Sequence, residues 1–384
     1  MFLNSKNYKI SLLQVQLLVC FCILSNALTA QSFKENFISE EDGAVDVSGF
    51  LNSTTGFLPV PIIITEPAVG FGGGLAIAYF HKKRDDKEAK GLSPTVSVLA
   101  GALTDNGTWL AAIAHQGSYA KDRIRYLGFL GYVAPKLSVY FGPNDILEGK
   151  FDFEMNGLAT MHEFLYRINK DVPFFAGLNY SFFTNNIAFE TGIDDPDFSS
   201  LETDTNLGGI NASFLWDSRN NSFTPTKGIM SGLELGRFAT FLGGDTDFWN
   251  ISSRTYAYLP VVKNKLFSGY RLSIESKSGD VPFYALPDIS LRGIPMLRYQ
   301  GPNTYTVETE WRWNFYKRWS LIGFVGMGEA LNDFSDLGKE IKAAGGGGFR
   351  YYLAKDYGLH VGIDVARGPE IWAWNLTIGS NWFR

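Results

Sequence analysis

Between Tyr305 and Phe315 the chain alternates without a break. Tyr305, Val307, Thr309, Trp311, Trp313 and Phe315 hold one parity, and Thr306, Glu308, Glu310, Arg312 and Asn314 hold the other. Successive side chains of a strand point to opposite faces, so this segment has one greasy, aromatic face and one charged face. The split recurs from Tyr357 to Ala366, where Tyr357, Leu359, Val361, Ile363 and Val365 oppose Gly358, His360, Gly362, Asp364 and Ala366. A soluble sandwich also alternates, but its apolar face fills a core and needs no aromatic belt at the strand ends. A membrane barrel does, because its outer face meets lipid through an apolar band flanked by aromatic girdles while its lumen is polar. The pattern therefore predicts an all-β fold, a membrane-spanning antiparallel β-barrel.

Read back from the C-terminus, the same rhythm places strands near 371–382, 357–366, 342–353, 319–330 and 304–315. It continues through 265–277, 248–260, 228–240, 204–217, 172–188, 150–168, 123–141, 107–119, 93–103 and 70–81. Single-chain bacterial barrels have an even number of strands, and this list is odd. A barrel of 16 strands is expected, the last supplied by a split of 123–141 near Pro135 or by the apolar segment Val60 to Ile64. One connection stands out: Ser278 to Asn303 carries Pro282, Pro287, Pro295 and Pro302 and is far longer than a hairpin turn. Loops of that length in compact domains usually carry function.

The N-terminus explains how such a chain reaches a membrane without a spanning helix. Lys6 and Lys9 precede a short apolar run from Leu17 to Leu24 and then Ala27-Leu28-Thr29-Ala30, the layout of a cleavable secretory signal over residues 1–30. A transmembrane helix needs about 20 apolar residues, and Gln14, Gln16, Ser25 and Asn26 bracket this run too closely. Both cysteines, Cys20 and Cys22, lie inside the signal, so the mature chain from Gln31 would have no thiol, and a disulfide scaffold or thiolate chemistry is excluded. Residues 31–57 are polar and acidic and fall short of the roughly 40 residues an unstapled domain needs. They read as a periplasmic tail, leaving 58–384 as the barrel domain and the bacterial outer membrane as its destination.

Composition agrees. The 41 Gly, 31 Phe and 18 Tyr, with only 19% charged residues, suit a wall of turns, small lumenal side chains and lipid-facing rings. A net charge of -5 shows no basic excess, so nucleic acid is not an expected partner. Lipid is.

Signals of enzyme chemistry are weak. His162-Glu163 opens like a zinc-protease helix, but Tyr166 stands where the second histidine would be. The histidines at 81, 115, 162 and 360 fall singly on different predicted strands, and no Gly-x-Ser-x-Gly elbow occurs. The glycine clusters at 72–74 and 345–348 do not sit at strand-to-helix junctions and fit places where strands bend or inward side chains would crowd. No catalytic residue, metal site or small-molecule cofactor is expected.

Four stretches, in order, resemble the BamA/TamA/FhaC superfamily of outer-membrane assembly and translocation barrels, also called the bacterial surface antigen family. Asp217-Ser218-Arg219-Asn220-Asn221, followed by Pro225 and Gly228, resembles its Asp-x-Arg-Asn-x-x-x-x-Pro-x-x-Gly turn. Leu291-Arg292-Gly293-Ile294 in the long loop resembles its Val-Arg-Gly-Phe element, and Glu310-Trp311-Arg312 its Glu-x-Arg strand. Leu376, Ile378, Gly379 and Trp382 resemble the closing strand with its terminal aromatic. After the Arg-Gly loop the family has five strands, the number that alternation gives here.

The resemblance implies a loop folded into the lumen, with Arg292 paired to Glu310 and Glu308 beside it; by parity Trp372, Trp374, Leu376, Ile378 and Trp382 share one face and are expected to meet lipid. It also implies accessory proteins in the periplasm or outer membrane. There are departures. No stretch is long enough for the periplasmic POTRA domains, so a short member lacking them is expected, and Gly326 stands where the family tends to have Asp. The leading functional expectation is a non-enzymatic barrel assisting assembly or translocation of other molecules. A passive pore or export channel gated by 278–303 is the alternative; a lipid hydrolase, which needs a Ser–His pair in reach, ranks below both.

Overall fold

The computed structural model describes residues 36–53, 56–81, 95–141, 149–190, 200–380 and 382. The expected signal peptide lies outside them. The strands are β1 (Gly56–Ile64), β2 (Gly72–Phe80), β3 (Val96–Thr104), β4 (Trp109–Tyr119), β5 (Ile124–Ala134) and β6 (Lys136–Phe141). They continue as β7 (Gly149–Arg167), β8 (Phe174–Glu190), β9 (Ser200–Asp217), β10 (Gly228–Phe238), β11 (Phe248–Val262) and β12 (Leu266–Gly279). The last five are β13 (Asn303–Tyr316), β14 (Trp319–Leu331), β15 (Lys342–Ala354), β16 (Leu359–Arg367) and β17 (Trp372–Ile378).

Each strand pairs antiparallel with the next, except that β5 and β6 both lie along β7. Pro135 has no N–H to give the ladder and breaks one long strand into that collinear pair. The Val60 to Ile64 segment also forms a strand, β1, which pairs along its length with β2, Ile62, Ile63 and Ile64 lying opposite Gly74, Gly73 and Gly72. Together they make 16 antiparallel barrel strands from 17 segments. Among the described residues no ladder joins β17 to β1, so the barrel is nearly closed; Phe71 and Trp374 meet at that seam with ring centroids 5.7 Å apart.

Alternation decides which side each residue takes. On β13 Trp311, Trp313 and Phe315 are exposed while Thr306, Glu308 and Arg312 are buried. On β17 Trp372, Trp374 and Ile378 face outward, and Ala373, Asn375 and Thr377 inward. No described helix is long and apolar enough to cross a membrane; the wall crosses with strands. β7, β8 and β9 run 19, 17 and 18 residues, beyond the roughly 9–11 that a tilted strand needs to span. Their excess rises at the end where loop 280–302 emerges, and buried Val139, Phe153 and Ile187 there pack with Leu297 of that loop.

The opposite end carries residues 36–53, the exit of β17 and the tight turns at 263–265, 317–318 and 355–358. Short turns mark the periplasmic end of such barrels. Residues 36–53, within the stretch read as a tail, are held against that end. Arg318 donates to Asp42 at 2.7 and 2.9 Å and to the Val45 carbonyl at 2.9 Å, and the Val47 amide donates to Leu353 O at 2.9 Å. A one-turn helix, α1 (Ser48–Ser53), follows. Barrel pairing begins at Gly56, two residues before the boundary read from sequence.

Candidate functional site

The site is assembled from one loop and one wall. Loop 280–302 leaves β12, doubles back through a bridge between Asp288 and Gln300, and presents Ile289, Leu291 and Ile294, which pack with Ala344 on β15. Between them Gly293 adopts φ +90, a left-handed conformation that side chains rarely tolerate. A Cβ there would also meet Gly368 N at 2.8 Å, so the loop backbone lies directly against the β16–β17 turn. This turn in the loop is what points Arg292 at the strands.

Arg292 is 3% exposed. Its Nε and Nη2 donate to Glu308 Oε1 at 2.8 and 2.5 Å, and its Nη1 donates to Glu310 Oε2 at 2.7 Å and Asp364 Oδ2 at 2.9 Å. The guanidinium also stacks on Phe324, its carbon 3.5 Å from the ring centroid. Burial alone would disfavour the charge, but Glu310, Glu308 and Asp364 outweigh it and hold the Arg292 pKa above the usual arginine range. Two more arginines balance the acids: Arg350 grips Asp364 at 2.5 and 2.8 Å, and Arg271 lies 3.6 Å from Glu308 while donating to Ser290 O at 2.9 Å. Three guanidinium groups thus face three carboxylates across β12 to β16.

Small residues make the room. A Cβ on Gly326 would sit 2.7 Å from Leu291 Cδ2 and 3.1 Å from Glu308 Cγ, and one on Gly348 would collide with Asp364. The position where the resemblance suggests an Asp is therefore occupied by the loop itself, and Asp364 on β16 brings the third carboxylate. Sequence alone did not assign Asp364 or Arg350 to the site; both lie on the inward parity of strands that alternation places, but their meeting with Arg292 depends on the path of the loop. Arg312 lies over Phe267, 4.9 Å from its centroid.

The closing strand ends sooner than expected, and Trp382 does not face lipid. β17 stops at Ile378, Gly379 turns the chain at φ +78, and the parity shared by Trp372 and Trp374 is lost. Trp382 is 6% exposed, packs against Tyr256 and Tyr258 with centroids 5.9 and 5.8 Å away, and donates its indole N–H to Glu308 Oε2 at 2.8 Å. Gly269 on β12 leaves space for the ring. One carboxylate, Glu308, thereby receives the loop arginine on one oxygen and the C-terminal tryptophan on the other.

The turn motif lies across the barrel at the terminal end. Asp217 accepts from Arg219 at 2.8 and 3.1 Å and from Arg125 at 3.0 Å. Asn220 Oδ1 accepts the Thr226 and Lys227 amides, both at 3.0 Å, while Pro225 is buried and Gly228 has φ +106. The tip reaches far: Asn221 donates to Tyr357 O at 2.7 Å, and a Cβ on Gly379 would meet Phe223 O at 2.9 Å. Residues from all four sequence motifs thus enter two linked contacts, one around Glu308 and one around Gly379.

The histidines fall on different segments, as expected, and register aligns His81, His115 and His162 on the outer face, with Ser97 2.9 Å from His81 Nε2 and 2.8 Å from His115 Nδ1. Among the described residues no group of three His, Cys, Asp or Glu side chains is placed to hold a metal ion.

Fold and site together define a membrane-spanning barrel whose long loop is clasped to its wall by one buried arginine. Comparison with known families adds a similarity: residues 140–286 match the Omp85 superfamily domain. The solved structures it resembles include BamA from Haemophilus ducreyi lacking POTRA domains 1–3, with 11% identity, TM-score 0.55, and 91% of this chain and 81% of that one covered. CdiB from Acinetobacter baumannii follows at 11% identity and TM-score 0.51, with 84% of this chain covered, and CdiB from Escherichia coli at 9% and 0.57, with 85% covered. The chain spans 59% and 63% of those two CdiB chains. At such identities the likeness is one of fold. No curated protein matches the sequence.

Proposed function

We propose that this chain is an exported outer-membrane protein that assists assembly or translocation of other molecules at that membrane, without catalysis, and that loop 280–302 is its lumenal latch. The carrying observation is the convergence of Arg292 and Trp382 on Glu308. A passive pore has no use for six paired charges, a loop and a chain terminus brought to one inner wall. A barrel that must stay shut at rest and rearrange around a client does. Each of those contacts is polar and reversible, and each can be exchanged for a contact with an incoming chain. The wall is also discontinuous at one place, between β17 and β1, where no ladder is formed among the described residues. A client strand can pair there with exposed backbone groups.

Depletion of the protein tests this reading. Quantitative proteomics of the outer membrane and the cell surface should then show a defined set of other proteins falling in abundance, and cross-linking affinity purification from native membranes should recover members of that same set on the barrel. Unchanged abundance of every outer-membrane and surface protein, with solute uptake reduced instead, would favour a pore.

A further inference from the structure

The outer wall of β1 to β5 and β7 is not uniform. Outward-facing Leu75, Leu99, Ile113 and Leu130 belong to an open groove of 870 Å³ whose lining contains no acidic or basic side chain other than histidine. Toward the end that holds residues 36–53 the same outward parity turns polar. Ser97 Oγ bridges His81 Nε2 and His115 Nδ1, and Tyr119 OH lies 2.6 Å from His115 Nε2. On the next strands Tyr126 OH lies 2.8 Å from His162 Nδ1, and Thr160 Oγ1 lies 3.1 Å from His162 Nε2. Ring centroids step 5.4, 6.0 and 6.2 Å from His81 through His115 and Tyr126 to His162, a continuous row.

This row is built into the strands. Tyr119 lies flat over Gly117 and Tyr126 over Gly128, where a Cβ would come within 2.6 and 2.9 Å of the respective ring Cζ. Only glycine lets each ring fold along its strand and deliver its hydroxyl to an imidazole. Polar groups on a lipid-facing wall are costly even when they satisfy one another, and ionisable ones there mark functional sites more often than not. The loop clasp uses none of them.

We infer that the groove and its polar edge bind one glycerophospholipid of the periplasmic leaflet. Its phosphate accepts the one N–H or O–H proton that the His81–Ser97–His115–Tyr119 chain has left over from its three internal bonds, and one acyl chain lies along Leu75, Leu99, Ile113 and Leu130. A polar row with a spare donor and no carboxylate in the lining suits an anionic phosphate, and an apolar trough leading away from it suits the attached chain. Ser97 between two histidines also invites a hydrolytic reading. Its strand, however, is laddered on both sides, with Ser97 opposite Tyr79 and His115, so neighbouring backbone amides are committed to the sheet and cannot form an oxyanion hole.

The test uses the folded barrel in vesicles of phosphatidylethanolamine and phosphatidylglycerol with a trace of phosphatidylglycerol bearing a diazirine on its acyl chain. After illumination, adducts should concentrate on peptides containing 75–79, 97–99, 113–115 and 126–130. Replacing His115→Leu with His162→Leu should lower them about tenfold, the effect of losing one or two hydrogen bonds to a charged group, with labelling of the remaining outer wall unchanged. Heat-modifiable migration reports folding; should that pair fail to fold, Ser97→Ala and Tyr126→Phe keep the wall and should each give a smaller drop. Groove labelling equal to that of the rest of the wall, or indifferent to these replacements, overturns the proposal. Ser97-dependent release of fatty acid and lysophospholipid overturns it too, by making the site hydrolytic.

Discussion

Arg292→Ala removes the centre of the clasp and leaves its acids behind. In the intact barrel the guanidinium serves Glu308, Glu310 and Asp364, and the side chains of Glu308 and Asp364 are 2% and 0% exposed. Without Arg292, Glu308 keeps Arg271 at 3.6 Å and the Trp382 indole at 2.8 Å, and Asp364 keeps Arg350 at 2.5 Å. Stripping one partner from a buried pair costs roughly 3–5 kcal/mol. Because about 1.4 kcal/mol is a factor of ten, the equilibrium between docked and released loop should move by about two to three and a half orders of magnitude. Glu310 is more exposed and contributes less of this. Arg292→Ala and Glu308→Ala disrupt the same bonds, so the double variant should release the loop no more than Arg292→Ala alone. Cleavage of loop 280–302 by a nonspecific protease, on barrels in vesicles that still migrate as folded species, reads the released fraction. Equal cleavage of wild type and Arg292→Ala, or strictly additive effects of the two replacements, would refute the reasoning.

Other consequences follow from particular contacts. Trp382→Asp should leave the barrel assembled, since the side chain is internal; it should free the loop, because it removes a buried ring worth roughly 3–5 kcal/mol and sets a carboxylate near Glu308, and heat-modifiable mobility together with protease access checks both. The Asp42 carboxyl is held well below the usual carboxylate range chiefly by its hydrogen bonds to Arg318. Its contribution to docking of residues 36–53 should therefore be complete above its unfolded pKa of about 4 and be lost as the pH falls through the lower folded value; Arg318→Ala should release the segment at neutral pH, both effects being visible by hydrogen exchange of 44–51. Mass spectrometry of the protein from outer membranes should find Gln31 at the N-terminus, and an uncleaved chain in the inner membrane would contradict export.

Much of the wall was legible because period-2 alternation is a local property: Glu308, Glu310 and Arg312 share a face whatever the rest of the chain does. Strand count was legible only to within an ambiguity at Pro135 and Val60, and both places turned out to contribute, one as a break in a strand and the other as a strand of its own. The contacts of Arg292 were harder. Glu308 and Glu310 have identical parity and differ only in depth along β13, which the sequence does not encode; the nearer carboxylate is Glu308. Asp364 is 72 residues from Arg292 and becomes its partner only after the loop folds back across three strands. Trp382 was misplaced because parity was extended past the strand's end; Gly379, whose left-handed conformation ends it, was the available signal. The outer histidine row depends on inter-strand register, which sets Ser97 opposite His115, and no spacing within one segment reveals that.

The central claim is a barrel held shut by its own loop and C-terminus, and planar-bilayer conductance tests it most directly. Purified wild-type protein should give small, infrequent current steps, while Arg292→Ala and a variant lacking 283–299 should give larger and longer openings in that order. Large steady currents from the wild type, unchanged by either alteration, would contradict it.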